Sequence, residues 1–221
     1  MLIYQCLPIS GTAYSSSSSF ASAPPTVAPT VAPDASCFAG SETVLLEKGE
    51  TVSISSLKVG DRVLAADING KATFSEVVAV PHGLNNDRRV FSQIRTVTGR
   101  DIKLTPNHMI LAGACNAALP LALIKAEDVK VGSCVQSVDG REEVVSHELV
   151  QGFGIYTFIT QENLVVVNGI VASPFADNHA VATAFYNIHR AIYVVAPSLL
   201  QSDWVKKATL AFGSIVFSFS T

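Results

Sequence analysis

The chain has 221 residues, of which 48% are hydrophobic and 15% charged, and its formal net charge is −3. This length predicts roughly one domain with an extension, and the apolar content is ample for one core. The acidic, sparsely charged composition argues against a nucleic-acid-binding protein, which usually carries a basic stripe. The four cysteines form no CxxC pair and are too few for a disulfide scaffold, so neither a zinc ribbon nor a thioredoxin motif is expected.

Residues 1–36 are predicted to be a disordered Ser/Pro/Ala-rich segment and linker. A serine run at 15–19 precedes a proline-rich stretch that ends at Pro33. Proline fixes φ and lacks a backbone donor, so this part should be extended and unpacked. The first ten residues contain no Lys or Arg, which is not typical of a secretory signal, and a fragment of a longer precursor is an equal alternative. The sequence contains no apolar run long enough to predict a transmembrane helix.

Residues 37–176 are predicted to form an all-β domain. Short apolar runs alternate with turn signals such as Asn69-Gly70, Asp139-Gly140 and Asn168-Gly169, which tolerate positive φ and favour hairpins. The predicted strands cover residues 43–46, 52–54, 62–65, 75–80, 90–97, 102–104, 109–112, 133–138, 143–150, 155–159 and 164–167.

The same region contains an internal repeat. Lys58-Val59-Gly60 recurs 72 positions later as Lys130-Val131-Gly132, and the Asn69-Gly70 turn corresponds to Asp139-Gly140 at an offset of 70. The strands that follow these turns end at equivalent positions, Val80 in the first copy and Val150 in the second. The repeat predicts two copies packed as a pseudo-symmetric pair, since neither copy alone would bury its apolar face.

Residues 177–221 form an apolar C-terminal extension. Residues 179–195 are predicted to be a helix with Phe185, Tyr186 and Ile188 on one side, and a second apolar stretch follows. Three interpretations are open: a helical extension packed on the β-domain, a disordered end, or an element that contacts sterol or membrane.

Cys37 lies at the junction between the linker and the predicted domain. A buried structural cysteine is the plain interpretation. At this position, however, the thiol can reach the carbonyl carbon of Ser36, and its attack would turn the Ser36–Cys37 peptide bond into a thioester. This N–S acyl shift is covalent catalysis with the chain as its own substrate. It needs a proton donor for the leaving amine, and His108 is the best candidate. Thr105, three residues earlier, can bind the scissile amide or the imidazole through its hydroxyl.

Several motifs, in order, resemble the hedgehog/intein (Hint) family, most closely the hedgehog C-terminal autoprocessing (Hog) domain. The match covers about residues 37–176, with His189 as an alternative end. The quoted segments are Cys37-Phe38-Ala39-Gly40-Ser41-Glu42-Thr43-Val44, Gly60-Asp61-Arg62-Val63-Leu64-Ala65-Ala66-Asp67, Phe74-Ser75-Glu76-Val77, Thr105-Pro106-Asn107-His108 and Val166-Val167-Asn168-Gly169-Ile170-Val171-Ala172-Ser173.

The resemblance implies a disc-like, pseudo-two-fold all-β fold and a single-turnover, self-cleaving protein whose substrate is its own N-terminal segment. It assigns Cys37 as the nucleophile and Thr105 and His108 to activation of the amide. In hedgehog proteins a sterol then attacks the thioester with help from an Asp, and the matching position here is His82. The chain also departs from the family at Ser36, where hedgehog proteins have Gly, and at Pro174, where Cys is usual. Sterol, water and a thiol therefore remain alternative acceptors.

Other interpretations remain open. Intein-type splicing is not expected, because the sequence contains no His-Asn pair. A degenerate, non-catalytic Hint-like binding domain and a membrane- or sterol-binding module at 174–221 are the alternative functions. No cofactor, metal site or nucleic-acid partner is predicted. The resemblance suggests secretion or membrane association without a clear signal. A disulfide between Cys115 and Cys134 is an option that the sequence cannot test.

Overall fold

The computed structural model describes residues 37–80, 88–176 and 179–196, and their backbone is mostly β-strand with one long helix. The elements are β1 (Phe38–Ala39), β2 (Thr43–Leu45), β3 (Thr51–Ser53), β4 (Arg62–Ala66), β5 (Ala72–Ala79), β6 (Arg88–Thr96), β7 (Asp101–Leu104), β8 (His108–Gly113), β9 (Ala122–Lys125), β10 (Cys134–Ser137), β11 (Gly140–Phe153), β12 (Ile155–Tyr156), β13 (Ile159–Thr160), β14 (Leu164–Val167), β15 (Ile170–Ala176) and α1 (His179–Val195).

Within the described ranges, thirteen strands are linked by antiparallel pairing in the order β12-β1-β7-β6-β11-β10-β8-β15-β14-β4-β5-β13, with β9 added beside β8; β2 and β3 pair separately. The first strand therefore lies next to β7, and the last strand lies next to β8. This topology brings together segments that are far apart in sequence. The predicted all-β class is confirmed, and the sheets are open.

The main core lies between the strands and consists of buried branched and aromatic side chains. Strands buried on both faces carry continuous apolar runs, as β14 does with Leu164–Val167. The largest fully buried side chains of this core include Phe38, Phe158, Ile94 and Ile110. Phe38 directly follows Cys37, so core packing fixes the backbone beside the predicted nucleophile.

The internal repeat is a real structural repeat. Gly60 and Gly132 both have positive φ, of 96° and 84°. Each donates its N–H to a valine carbonyl, Val77 at 2.9 Å and Val144 at 2.9 Å. The offset is 72 at the glycines but 67 at the valines, because the second hairpin turns tightly between β10 and β11. The prediction that Val80 and Val150 occupy equivalent positions in the two copies was therefore wrong, while the pseudo-symmetric arrangement is confirmed.

Most predicted strands are present within one or two residues. Several local predictions were wrong. The strands β1 and β15 were not assigned, and the single strand predicted at 155–159 is two strands, β12 and β13. Ile54 was assigned to a strand but begins a 3-10 turn, for which Ser53 supplies the cap through its side chain. The strand β9 was missed, because its Ala-Leu-Ile-Lys sequence has only a short apolar run.

Helix α1 has the bounds that the sequence predicted. It is fixed to the β-domain by Arg190, whose Nε donates to the Thr160 carbonyl at 2.8 Å, and by Tyr186, whose ring stacks on Phe175 at 5.2 Å. Ile188 was predicted on the same side as Tyr186 but is 55% exposed, since two positions along a helix are about 200° apart. No helix within the described part of the chain is long and apolar enough to cross a membrane.

Cys115 and Cys134 form a disulfide, with Cα atoms 4.9 Å apart. It joins the loop after β8 to the start of β10. Cys134 is buried, whereas Cys115 is exposed. The linker 1–36, the site candidate His82 and the apolar stretch after 196 lie outside the described residues.

Candidate active site

The site candidates Cys37, Thr105 and His108 lie together, although 68 positions separate the first two in sequence. β1 follows Cys37 and pairs with β7 through Phe38 and Leu104. Since Thr105 directly follows Leu104, this pairing places Cys37 and Thr105 side by side. We call Cys37, Thr105, His108 and the Ser173 carbonyl the reactive corner.

Thr105 binds both peptide groups that flank the Cys37 Cα atom. The Cys37 amide nitrogen, which belongs to the Ser36–Cys37 peptide bond, donates to Thr105 Oγ1 at 3.1 Å. The Thr105 amide in turn donates to the Cys37 carbonyl oxygen at 2.8 Å. Cys37 is fully buried and Thr105 nearly so, so water does not compete for these bonds.

A tight turn carries His108 back toward Thr105. Its four residues are Thr105-Pro106-Asn107-His108, and the His108 amide donates to the Thr105 carbonyl at 2.9 Å. Proline at the second position suits such a turn, because its fixed φ matches the geometry required there. The TxxH spacing is thus a turn that places the hydroxyl and the imidazole on the same corner.

The His108 imidazole is fully buried and held by backbone atoms. Its Nε2 lies 2.6 Å from the Ser173 carbonyl oxygen, and its ring contacts the Phe38 ring with centroids 4.3 Å apart. Burial lowers the pKa of His108 to about 4, although hydrogen bonds with the backbones of Ser173 and Cys37 act in the opposite direction. At neutral pH this histidine is therefore uncharged.

The Cys37 sulfur is itself part of a disulfide. A sulfur in a disulfide is not a nucleophile toward a carbonyl, since the thiolate is the reactive form. Any reaction at Cys37 therefore requires its reduction first.

A polar cluster that the sequence did not reveal lies a few residues from the corner. Glu42 is 1% exposed, and its Oε2 accepts from the Lys103 amide at 3.0 Å and from Asn168 Nδ2 at 2.6 Å. The Asn168 Oδ1 accepts from the Thr43 amide and from the Thr43 hydroxyl, both at 2.7 Å. Asn168-Gly169 signals a turn in sequence, but nothing in the sequence shows that its amide binds a buried carboxylate.

The remaining site predictions stay predictions. Ser36 and His82 lie outside the described residues. Within the ranges that the structure describes, no group of three or more His, Cys, Asp or Glu side chains could hold a metal ion.

Comparison with known proteins places this arrangement in a family. The model of the Hint module matches residues 25–214. Warthog protein 6 of Caenorhabditis elegans is 32% identical over 142 residues, which cover 62% of this chain and 24% of that protein. The hedgehog protein of Drosophila melanogaster is 30% identical over 146 residues, covering 63% of this chain and 31% of the relative. The chain thus matches about a quarter to a third of the length of these relatives.

Solved structures agree on the fold. A DnaB intein from Synechocystis has a TM-score of 0.53 at 17% identity, covering 65% of this chain and all of the intein. A variant of the Ssp DnaB mini-intein, M86, gives a TM-score of 0.54 at 17% identity over 65% of this chain and 97% of the variant. At this identity the likeness concerns the fold alone. Because the family model spans most of the sequence and the fold agrees with it, the chain belongs to the Hint family.

Proposed function

We propose that the chain cleaves itself at the Ser36–Cys37 peptide bond through an N–S acyl shift. The observation that carries the proposal is the hydrogen bond from the Cys37 amide nitrogen to Thr105 Oγ1, because it binds the nitrogen that must become the leaving group. Membership of the family that includes hedgehog proteins and inteins supports a self-processing activity.

The first step moves the acyl group from nitrogen to sulfur. The Cys37 Sγ attacks the Ser36 carbonyl carbon, and a carbon–sulfur bond forms as the carbonyl becomes a tetrahedral oxyanion. The carbon–nitrogen bond then breaks, the Cys37 nitrogen takes a proton and becomes an amine, and the carbonyl re-forms as a thioester. The hydrogen bond from this nitrogen to Thr105 Oγ1 fixes the orientation of the scissile amide. It delivers no proton to the nitrogen, so a separate acid must protonate the leaving amine.

His108 supplies the proton for the leaving nitrogen. A neutral imidazole accepts a proton released when the thiol attacks and then returns it as imidazolium. The low pKa of His108, about 4, makes the imidazolium a strong acid, so proton return to the amine is favourable. The Ser173 carbonyl fixes the ring through Nε2, which sets the direction in which the other ring nitrogen points.

An external nucleophile then takes the acyl group from Cys37. Sterol, water and a thiol are the candidates, and His82 is the residue that we expect to assist as general base. Because Cys37 is fully buried, the rate of this second step should depend on how easily the acceptor reaches the thioester.

The test is intact mass of the purified chain under three conditions at neutral pH: untreated, reduced with tris(2-carboxyethyl)phosphine, and reduced in the presence of added cysteine. The phosphine frees Cys37 from its disulfide but is not an acyl acceptor, whereas cysteine can trap the thioester. We expect cleavage between Ser36 and Cys37 that needs reduction and accelerates with cysteine. Replacement of Cys37→Ala should abolish it, whereas Cys115→Ala, at an exposed cysteine outside the corner, should leave it unchanged.

Two outcomes would contradict the proposal. Cleavage that persists in Cys37→Ala would exclude the thioester. A reduced, folded chain that stays uncut with cysteine would exclude self-processing at this bond and favour the degenerate binding domain.

A further inference from the structure

We infer that Glu42 and Asn168 are positioning residues for the proposed acyl shift: together they tie the three chain segments that carry the reactive corner into one register. The inference rests on the proposed function and concerns residues that do not touch the reacting atoms.

The first segment is the opening of the domain. Glu42 closes the turn after β1, where its amide donates to the Ala39 carbonyl at 3.0 Å. The Asn168 amide donates to the Thr43 carbonyl at 2.9 Å, and its side-chain oxygen accepts twice from Thr43. The chain between Cys37 and Thr43 is therefore bound at both of its ends, by Thr105 and by Asn168.

The second segment is β7, which leads into Thr105. Glu42 Oε2 accepts from the Lys103 amide, two residues before Thr105. Asn168 Nδ2 also donates to the Asp101 carbonyl at 2.7 Å. The buried carboxylate of Glu42 thus fixes the register of β7 relative to the turn after β1. This register places Thr105 opposite the Cys37 nitrogen.

The third segment is the β14–β15 hairpin. Asn168 lies at its turn with a positive φ of 49°, and β15 runs from there to Ser173, whose carbonyl binds His108. Displacement of this turn would shift Ser173 and the imidazole with it. A single donor–acceptor pair, Asn168 Nδ2 to Glu42 Oε2, therefore connects the positions of the nucleophile, the threonine and the histidine.

The chemical state of Glu42 agrees with this function. Burial raises the pKa of Glu42, while the hydrogen bond from the Lys103 amide and the charge of Lys103 lower it. The carboxylate therefore carries a desolvation cost that its hydrogen-bond donors offset, and it supplies directional acceptors that an apolar residue would not.

The experiment measures the rate of cysteine-dependent cleavage of the reduced chain per folded molecule, with the folded fraction taken from circular dichroism. We expect Glu42→Ala and Asn168→Gly each to slow cleavage by about 10-fold to 100-fold, the effect of a misplaced reacting group. Glycine at 168 keeps the left-handed backbone and removes only the amide side chain, so this variant tests the idea if Glu42→Ala fails to fold.

Two further variants separate positioning from stability. Glu42→Gln keeps an oxygen that can accept from Lys103 and Asn168, so it should retain the wild-type rate within about threefold. Glu142→Ala removes a second buried carboxylate that binds Thr96 and Arg100 instead of the opening turn, and it should lower the melting temperature without changing the rate per folded molecule.

The outcomes are distinguishable. A wild-type chain that does not cleave overturns the proposed function and this inference with it. A wild-type chain that cleaves, together with Asn168→Gly at an unchanged rate per folded molecule, overturns the inference alone. Equal slowing by Glu142→Ala would also overturn it, because the effect would then follow from general loosening.

Discussion

Two polar regions of this domain are built in opposite ways. The reactive corner contains an uncharged imidazole, a hydroxyl and backbone carbonyls. The second region, which we call the ion cluster, consists of Thr96, Arg100, Asp139 and Glu142, and its Arg100 pairs with both carboxylates.

The difference shows what each region can do. In the ion cluster the opposite charges pair with one another and fix the β6–β7 and β10–β11 turns. Removal of Arg100 would therefore leave the buried carboxylate of Glu142 without its cation. In the corner Thr105 Oγ1 binds the Cys37 nitrogen, and the imidazole of His108 is uncharged and able to change its protonation state. We therefore expect substitutions in the corner to alter rate more than stability, and substitutions in the ion cluster to do the reverse.

The largest expected effect comes from His108→Gln. Glutamine can still bind the Ser173 carbonyl, but it cannot carry a proton to the leaving nitrogen, so cleavage should slow by about 100-fold to 10,000-fold. The rate is measured by mass spectrometry on the reduced chain with added cysteine.

The matched control is His147→Gln. This half-buried histidine also binds a backbone carbonyl, with Nδ1 2.8 Å from the Val129 oxygen, but it lies outside the corner. A similar loss of rate in both variants would show that histidine burial, and not proton transfer, causes the effect.

The second prediction concerns stability in acid. The folded pKa of His108, about 4, lies below its ordinary value of 6.5, so its contribution is fully present above pH 6.5 and is lost as the pH falls to 4. The difference in unfolding free energy between wild type and His108→Gln should therefore shrink by about 3 kcal/mol between pH 7 and pH 4. Urea unfolding at unit pH intervals measures it.

The ion cluster should respond in a lower pH window. Burial raises the pKa of Glu142. Hydrogen bonds from Thr98, Ser137 and Thr96, together with the charge of Arg100, lower it by more, so the folded pKa lies below its ordinary value. Its contribution is present above the ordinary value of 4.5 and is lost only as the pH falls through the folded pKa. A difference between wild type and Glu142→Gln that declines already between pH 7 and pH 5 would contradict this separation.

The sequence predicted which side chains lie together in the corner better than it predicted the residues that support them. Cys37, Thr105 and His108 could be found because residue types with known reactivity occur in a motif of fixed order. The Ser173 carbonyl could not be identified from its side chain, because only its backbone oxygen is used. Asn168 was recognised as a turn residue, yet its side chain binds Glu42, and such a contact between positions 126 apart depends on strand register.

The fold shows the same division. Hydrophobic alternation and Asn-Gly turns predicted most strands, and the bounds of α1 followed from its apolar periodicity. The offset of 72 holds at Gly60 and Gly132, but the match of Val80 with Val150 was wrong, because the hairpin between β10 and β11 is shorter than the one between β4 and β5. The outward position of Ile188 follows from helix geometry and could have been predicted with a stricter count of 100° per residue.

The smallest expected effect separates the two regions most sharply, because the same substitution is made in each. Thr105→Val and Thr96→Val both remove a buried hydroxyl and keep the side-chain shape. Thr105→Val leaves the Cys37 amide nitrogen without its acceptor, so cleavage per folded molecule should slow by about tenfold, the equivalent of one hydrogen bond of about 1.4 kcal/mol.

Thr96→Val removes a 2.7 Å hydrogen bond to Glu142 and should cost about 1 kcal/mol of unfolding free energy without a change in rate. Cleavage rates and urea unfolding of both variants complete the test. If Thr96→Val slows cleavage as much as Thr105→Val, the two regions are coupled through β7. The effect of Thr105→Val would then not be specific to its hydrogen bond with the scissile nitrogen. If only Thr105→Val does so, the bond to that nitrogen contributes to the reaction itself.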